Sequence, residues 1–258
     1  MILIHNKSSE DMLEVESSKI HLIVTSPPYP MIAKWDVVFE KWSERLWGKR
    51  IEVKNPWGVF QLQHALLRAV WDEVFRVLVP GGIACINIGD ATRSWDGQFY
   101  CFPNYSKLVD DLVMIGFTPL VPIIWKKISN RPNAFLGSGM LPPNGYIAQD
   151  CEYIGIFRKG GKRKFKPHDL QRYASEFTKE ERDIWFQQVW EFPGVKGAKE
   201  TSAFPREVPW RLVQMFSCID EVVLDPFSGT GTTSKVCEEL ERHFIGYEIN
   251  NDRCVEKT

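Results

Sequence analysis

Apolar runs alternate with amphipathic stretches along most of this chain. Residues 20–24, IHLIV, form a continuous apolar run, which is typical of a strand buried on both faces of a sheet. Residues 58–78 carry apolar side chains at helical spacing and predict a helix that stops at the Pro-Gly-Gly of 80–82. The next apolar run, IACINI at 83–88, predicts a strand.

The same alternation continues to the end of the chain. A helix predicted over NYSKLVDDLVMIGF ends at Gly116, a strand is predicted over 120–125, and a further strand at 152–157 is expected at the sheet edge. The remaining predicted elements are a helix at about 206–217, a strand at 221–225, a helix after Gly231 and a strand at 243–248. Together these elements predict an α/β fold whose sheet is covered by helices on both faces.

Composition narrows the class of protein. The chain has 258 residues, of which 44% are hydrophobic and 25% charged, as in ordinary globular proteins. No apolar run approaches the roughly 18 residues of a membrane span, and the start of the chain lacks the pattern of a signal peptide. The six cysteines form no CxxC pair and no histidine lies at ligand spacing. We therefore expect no disulfide framework, no metal and no membrane partner, and a cytoplasmic location.

Two stretches depart from the regular alternation. Residues 126–150 are rich in Gly, Pro and Asn, which indicates a long functional loop. Residues 158–166, RKGGKRKFK, contain six basic residues and no acidic one, although the net charge of the chain is only −1. Such a run is usually a solvated surface, but the aromatic residues beside it favour a nucleic-acid contact. The candidates for phosphate contacts are Arg163, Lys164 and Lys166.

A glycine loop, DPFSGTGTT at 225–233, follows one predicted strand and precedes a predicted helix, as in nucleotide-binding loops. Gly229 and Gly231 permit a tight turn and a close approach of the backbone to a ligand. The next strand ends at Glu248, seventeen residues beyond Gly231, where a carboxylate can accept hydrogen bonds from ribose hydroxyls. No phosphate-binding lysine follows the glycines, so a ligand with a ribose and no phosphate, such as S-adenosylmethionine, is favoured.

A second loop, TSPPYP at 25–30, follows the strand of 20–24. Two consecutive prolines cannot continue a strand, so they predict a stiff corner that holds Ser26 and Tyr29. Only two strands are predicted from residue 221 onward, so the glycine loop must belong to the same sheet as the strand of 20–24. Because ligands bind outside the carboxyl ends of strands in open α/β sheets, we expect both loops to face one cleft.

TSPPY ahead of DPFSGTGTT, with a basic segment between them, resembles the permuted (beta-group) DNA amino-methyltransferases of restriction–modification systems, of the cytosine-N4 type. Further matches are NIGD at 87–90, EYIGIFRK at 152–159 and AFPREVPWRLV at 203–213, so the resemblance spans nearly the whole chain. It implies a Rossmann-like, S-adenosylmethionine-dependent methyltransferase fold with a mostly parallel sheet and a circularly permuted order of motifs. It divides the chain into a catalytic region (1–157), a small DNA-recognition insert (158–202) and a cofactor-binding region (203–258).

The resemblance also implies roles for individual residues. The expected catalytic residues are Ser26, Pro27, Pro28 and Tyr29. The expected contacts to S-adenosyl-L-methionine are Asp225, Pro226, Phe227, Ser228, Gly229, Thr230, Gly231, Thr232, Glu248, Asp90 and Asn6. Asn6 is followed by Lys7, where the family often has Gly-Asp. The expected contacts to DNA are Arg163, Lys164 and Lys166, in a segment expected beside the catalytic cleft.

The stiff corner suits one particular chemistry. The exocyclic amino group of cytosine or adenine is a poor nucleophile because its lone pair is delocalised into the ring. Ser26 Oγ and the Pro27 carbonyl can accept its two hydrogens and hold the nitrogen closer to a tetrahedral geometry. The Tyr29 ring is expected to stack on a base flipped out of the duplex, with its hydroxyl incidental.

The expected activity is methylation of cytosine N4 at a short sequence in double-stranded DNA, which protects the DNA from a cognate restriction endonuclease. No stable complex with that endonuclease is implied. A serine before Pro-Pro-Tyr resembles the cytosine-N4 enzymes, whereas the adenine-N6 enzymes more often carry aspartate, so adenine N6 is the alternative target. A catalytically silent DNA-binding subunit, an RNA or protein substrate, and the oligomeric state all stay open.

Overall fold

The computed structural model describes residues 1–52, 54–128, 142–143, 145–195 and 204–250. The strands are β1 (Ile2–His5), β2 (Ile20–Thr25), β3 (Leu78–Ile88), β4 (Ala91–Trp95), β5 (Gln98–Phe102), β6 (Phe117–Pro119), β7 (Ile123–Lys127), β8 (Cys151–Lys159), β9 (Val189–Phe192), β10 (Val222–Asp225) and β11 (His243–Tyr247). The helices are α1 (Asp36–Trp47), α2 (Pro56–Val77), α3 (Asn104–Ile115), α4 (Leu170–Ala174), α5 (Lys179–Trp185), α6 (Glu207–Phe216) and α7 (Thr232–Glu239).

In the described part of the chain, nine strands form one sheet and β4–β5 form a separate hairpin. The order across the sheet is β1-β11-β10-β2-β3-β8-β7-β9, with β6 also paired to β8. All neighbours from β1 to β3 are parallel, β8 is antiparallel to β3 and β7, and β9 is parallel to β7. The glycine-loop strand β10 belongs to the same sheet as β2, as the sequence predicts, and lies directly beside it, with Val223 opposite Leu22.

Two apolar layers cover the sheet. Adjacent residues of β2 point to opposite faces: Ile23 packs with residues of α1, α2 and α3, whereas Leu22 and Val24 pack with residues of α6 and α7. The predicted α/β class, with a mostly parallel sheet and helices on both faces, is confirmed. No helix in the described residues is long and apolar enough to cross a membrane.

Local sequence signals set several helix ends. The Asn55 side chain accepts a hydrogen bond from the Gly58 backbone N–H, and Pro56 occupies the first turn of α2, where a missing N–H costs nothing. α3 ends at Gly116, whose φ of 116° is open to glycine but strained for other residues. Both ends therefore follow from residues that the sequence displays directly.

The Pro-Gly-Gly of 80–82 does not separate a helix from a strand, contrary to prediction. α2 ends at Val77 and β3 begins at once at Leu78, so the strand runs through these three residues. The pairing of β2 with β3 shifts register between Ile20 and Leu22, at this level of the sheet. A proline is tolerated at such an irregularity because its missing N–H falls where regular pairing is interrupted.

The strand predicted at the sheet edge lies inside the sheet. β8 pairs with β3 on one side and with β7 and β6 on the other. Its central residues 154–157 are buried, and the edge is formed by β9, a short strand within the stretch assigned to the DNA-recognition insert. The insert of 158–202 therefore contributes one strand to the main sheet. The strand predicted at 120–125 also begins later, at Ile123.

Candidate active site

The two predicted loops meet at one edge of the sheet. TSPPYP leaves the carboxyl end of β2, and the glycine loop leaves the carboxyl end of the neighbouring parallel strand β10. A cavity of about 720 Å³ lies between them, lined by Ser26 and Pro28 from the first loop and by residues 225–230 from the second. This volume lies within the range of about 300–1,000 Å³ for small-molecule sites.

Asp225 joins the two loops. It is 3% exposed, and its Oδ1 accepts hydrogen bonds from Thr25 Oγ1 at 2.6 Å and from the Phe227 backbone N–H at 3.0 Å. Its Oδ2 accepts a hydrogen bond from Thr233 Oγ1 at 3.0 Å. Burial raises the pKa of Asp225 to about 6, against the opposing effect of these hydrogen bonds. The carboxyl group thus holds the start of the catalytic loop against the glycine loop.

The glycine loop and the end of β11 present polar groups to the cavity. Gly229 and Gly231 have φ values of 54° and 75°, in the left-handed region that favours glycine. The Ser228 hydroxyl is buried and has no hydrogen-bond partner among the described residues. Glu248 follows β11 directly and lines the cavity, and Asn6 Nδ2 donates to its backbone carbonyl at 2.9 Å.

The cavity brings most of the expected site residues together. Those that line it are Ser26, Pro28, Asp225, Pro226, Phe227, Ser228, Gly229, Thr230, Thr232 and Glu248. Those outside the lining are Pro27, Tyr29, Gly231, Asn6 and Asp90. Asp90 accepts a hydrogen bond from the Tyr105 backbone N–H at 3.0 Å and so caps the first turn of α3. The geometry therefore gives Asp90 a structural role, and its expected contact to the cofactor stays a prediction.

Tyr29 is held by its hydroxyl, which the sequence analysis treats as incidental. In the structure this hydroxyl donates to Glu152 Oε2 at 2.9 Å and accepts from Asn87 Nδ2 at 2.7 Å and from Ser26 Oγ at 3.1 Å. Burial, and then the charge of Glu152, raise the pKa of Tyr29 well above its usual value of 10. The Tyr29 ring lies so close to Gly89 that a Cβ there would be 3.3 Å from Tyr29 Cε2.

Helix α1 supplies a wall of the cavity that the sequence analysis does not identify. Trp42 lines the cavity and meets Phe227 of the glycine loop edge to face, with ring centroids 6.3 Å apart. Lys41, the preceding residue of α1, also lines the cavity. The helical spacing of Val38 and Trp42, with a stop at Gly48, is the sequence signal that could have identified this helix.

The basic run does not lie beside the cleft, so that expectation is wrong. Because β8 is antiparallel to β3, its last residue, Lys159, lies at the end of the sheet that is opposite the cleft. Lys159 Nζ donates to the Leu78 carbonyl at 2.7 Å, where β3 begins. The Arg163 guanidinium forms an ion pair with Glu221, which precedes β10, so Arg163 is engaged within the protein. Lys164 and Lys166 are exposed at that edge.

The long loop expected over 126–150 does leave from the edge that carries the cleft. It follows the carboxyl end of β7 and leads into the first residues of β8, and both positions lie level with the carboxyl end of β3. Within it, residues 129–141 and 144 lie outside the described residues. No group of three His, Cys, Asp or Glu side chains in the described ranges could hold a metal ion.

Comparisons with known proteins agree with this geometry. A family model for DNA methylases of the N6/N4 methyltransferase type matches residues 20–256. The Type II methyltransferase M.MjaI of Methanocaldococcus jannaschii is 54% identical over 254 residues, which cover 93% of this chain and 84% of that protein. The Thermus thermophilus protein TTHA0409, solved in complex with S-adenosyl-L-methionine, is 31% identical with a TM-score of 0.78, over 98% of this chain and 91% of that one.

A more distant structure has the same fold. The PvuII DNA methyltransferase, which is cytosine-N4-specific, superposes with a TM-score of 0.66 at 17% identity, over 100% of this chain and 87% of that one. At that identity the likeness concerns the fold alone. The family model, however, covers nearly the whole of the chain, including both loops of the cavity. The chain therefore belongs to the N6/N4 methyltransferase family of DNA methylases.

Proposed function

We propose that this protein transfers a methyl group from S-adenosyl-L-methionine to the N4 amino group of cytosine at a short sequence in double-stranded DNA. The observation that carries the proposal is the cavity in which Ser26 of the proline corner faces residues 225–230 of the glycine loop. The Type II methyltransferase relative supports a role in protecting DNA from a cognate restriction endonuclease. β2 precedes β10 along the chain, which supports the permuted beta-group assignment.

The cavity fits the cofactor. Glu248 offers a carboxylate at a strand end for the two ribose hydroxyls, and the unpartnered Ser228 hydroxyl offers a further polar contact. Trp42 and Phe227 supply apolar surface for an adenine ring. When bound, S-adenosyl-L-methionine supplies an electrophilic methyl group, whose bond to sulfur breaks as the bond to nitrogen forms, leaving a neutral thioether.

Ser26 and Pro27 position the amino group that is methylated. Ser26 Oγ and the Pro27 carbonyl accept its two hydrogens, while the two prolines keep these acceptors fixed. Alignment of two reactants in this way contributes ~7–11 kcal/mol to lowering a barrier. Flipping the target base out of the duplex costs a few kcal/mol, and stacking of that base on the Tyr29 ring contributes roughly 1–3 kcal/mol of favourable free energy.

Segment 128–150 is the part of the chain that we assign to reading DNA bases. Both of its ends lie at the edge of the sheet that carries the cleft, whereas the basic run of 158–166 lies at the opposite edge. Adenine N6 is the second candidate target, because the family model covers both amino groups. The serine before Pro-Pro-Tyr favours cytosine.

The test is to incubate the protein with S-adenosyl-L-methionine and unmethylated duplex DNA and to analyse the nucleosides by mass spectrometry. We expect N4-methylcytosine, whereas N6-methyladenine would overturn the base assignment and the absence of both would overturn the function. Ser26→Ala should lower turnover on the order of 10²-fold with cofactor affinity unchanged, because the hydrogen bond matters most in the transition state. Ser106→Ala, at an exposed position of α3, is the matched control.

A further inference from the structure

The hydrogen bonds around Tyr29 have a fixed direction. A tyrosine hydroxyl has one proton to donate and two positions to accept, and all three are used here. The proton goes to Glu152 Oε2, because an ionised carboxylate can only accept. The two accepting positions receive Asn87 Nδ2 and Ser26 Oγ. Ser26 must therefore use its own proton on Tyr29, and its lone pairs stay available to an amino group in the cleft.

Three neighbouring strands hold Glu152 in place. Its side chain is 13% exposed, forms an ion pair with Lys127 and accepts from Asn87 Nδ2 at 2.7 Å. In the sheet, Glu152 is paired with Trp125, and Asn87 with Ile154, so Asn87, Glu152 and Lys127 are diagonal neighbours on one face. The carboxylate is thus fixed by β3 and β7 as well as by its own strand.

We propose that Ser26, Tyr29 and Glu152 form a proton exit path for methyl transfer, in which Glu152 is the final acceptor. This inference rests on the proposed function. The amino nitrogen uses its lone pair for the new N–C bond, becomes cationic and must lose one proton. It gives that proton to Ser26 Oγ as the Ser26 proton moves to Tyr29 and the Tyr29 proton moves to Glu152 Oε2.

The step balances, since the nitrogen becomes neutral, each hydroxyl keeps one proton and Glu152 becomes a carboxylic acid. Water then takes the proton from the partly exposed Glu152. Burial raises the pKa of Tyr29, so Tyr29 passes a proton on without being held as a tyrosinate. The charged groups that face Glu152 are Lys127 on β7 and, farther away, Lys34 in the turn Ala33–Trp35.

The experiment compares Glu152→Gln and Tyr29→Phe with wild type in single-turnover methylation of duplex DNA at neutral pH. In Glu152→Gln the amide oxygen still accepts a hydrogen bond from Tyr29, but the side chain takes up no proton. Tyr29→Phe keeps the aromatic ring and removes the hydroxyl that joins Ser26 to Glu152. We expect each variant to lose on the order of 10²-fold in rate at neutral pH, with the affinity for S-adenosyl-L-methionine unchanged.

The double variant tests whether the two residues act in one path. If they do, Glu152→Gln with Tyr29→Phe is no slower than the slower single variant, because either change already interrupts the path. Glu191→Gln is the matched control, since Glu191 on β9 is an exposed carboxylate paired with Lys126 at 3.1 Å. It should keep the wild-type rate.

Three results would overturn the path: additive losses in the double variant, a wild-type rate in Tyr29→Phe, or a wild-type rate in Glu152→Gln. If Glu152→Gln does not fold, Tyr29→Phe keeps the test, because it leaves Glu152 and its ion pair intact. If wild type methylates DNA and both variants are fully active, the proposed function stands and only the proton path is refuted. A wild-type protein that methylates no DNA would remove the proposed function itself.

Discussion

At the scale of a single residue, Asp225 joins the proline corner to the glycine loop. One of its oxygens accepts from Thr25, which immediately precedes Ser26, and also from the backbone of the glycine loop at Phe227. A buried carboxylate with three hydrogen bonds positions both loops, but ionising it in an apolar surrounding costs free energy. Its position in the DPF sequence predicts a cofactor contact, and the structure adds this joining role.

The raised pKa of Asp225 predicts a pH-dependent cost to stability. The pKa of about 6 in the folded state lies above the ordinary value of 3.8, so the folded protein binds this proton more tightly than the unfolded chain. Its contribution to stability is full below pH ~4 and is lost as the pH rises through ~6. Relative to Asp225→Asn, wild type should lose roughly 2 kcal/mol of unfolding free energy between pH 4 and 7, measured by urea denaturation.

The matched control for that measurement is Asp72→Asn. Asp72 is an exposed residue of α2. This substitution should leave the pH dependence of the unfolding free energy as it is in wild type. A constant difference between wild type and Asp225→Asn across this pH range would contradict the raised pKa.

Glu248 is the residue whose loss should weaken the cofactor site most directly. Hydrogen bonds to a charged acceptor contribute roughly 1.5–3 kcal/mol each, so Glu248→Ala should weaken binding of S-adenosyl-L-methionine by about 10- to 100-fold in calorimetry. Glu238→Ala, on the exposed surface of α7, should bind as tightly as wild type. Equal affinities in the two variants would remove Glu248 from the site.

At the scale of elements, the antiparallel direction of β8 decides which residues lie at the cleft. Apolar periodicity predicts that 152–157 is a strand, but it carries no information on direction or on neighbours. β8 is antiparallel to β3 and lies inside the sheet. Its first residues therefore contact Tyr29, and its last residues lie at the end of the sheet opposite the cleft. Glu152 therefore belongs to the site although it is 123 residues from Tyr29 in sequence, and the adjoining basic run does not.

The position of the basic run gives opposite expectations for two neighbouring cations. Arg163→Gln leaves Glu221, which is 6% exposed, without its ion-pair partner, so it should lower the unfolding free energy by about 3 kcal/mol or more. Lys164→Gln should leave stability unchanged. It should also leave the salt dependence of DNA binding unchanged, whereas loss of one phosphate contact lowers the log–log slope by about one unit. If Lys164→Gln lowers the log–log slope of DNA binding against salt by one unit, DNA contacts the end of the sheet opposite the cleft.

At the scale of the whole molecule, the sequence predicts the class of fold and the pairing of its two functional loops. Continuous apolar runs mark β2 and β10, and the few strands left after residue 221 require that they share a sheet. The edge strand β9 and the wall helix α1 are not predicted. β9 has only four residues and is stabilised by pairing with β7, which no local pattern displays.

The ion pair between Lys127 and Glu152 has a consequence for how such a protein diverges. These two residues stand at the last position of one strand and near the first of the next, so they close the base of the segment between them. The free energy of closing a longer connection grows slowly, by about 0.6 kcal/mol for each doubling of its length. Replacing or lengthening that segment should thus change which DNA sequence is chosen while the methyl-transfer corner keeps its geometry, so that new specificities can arise on unaltered chemistry.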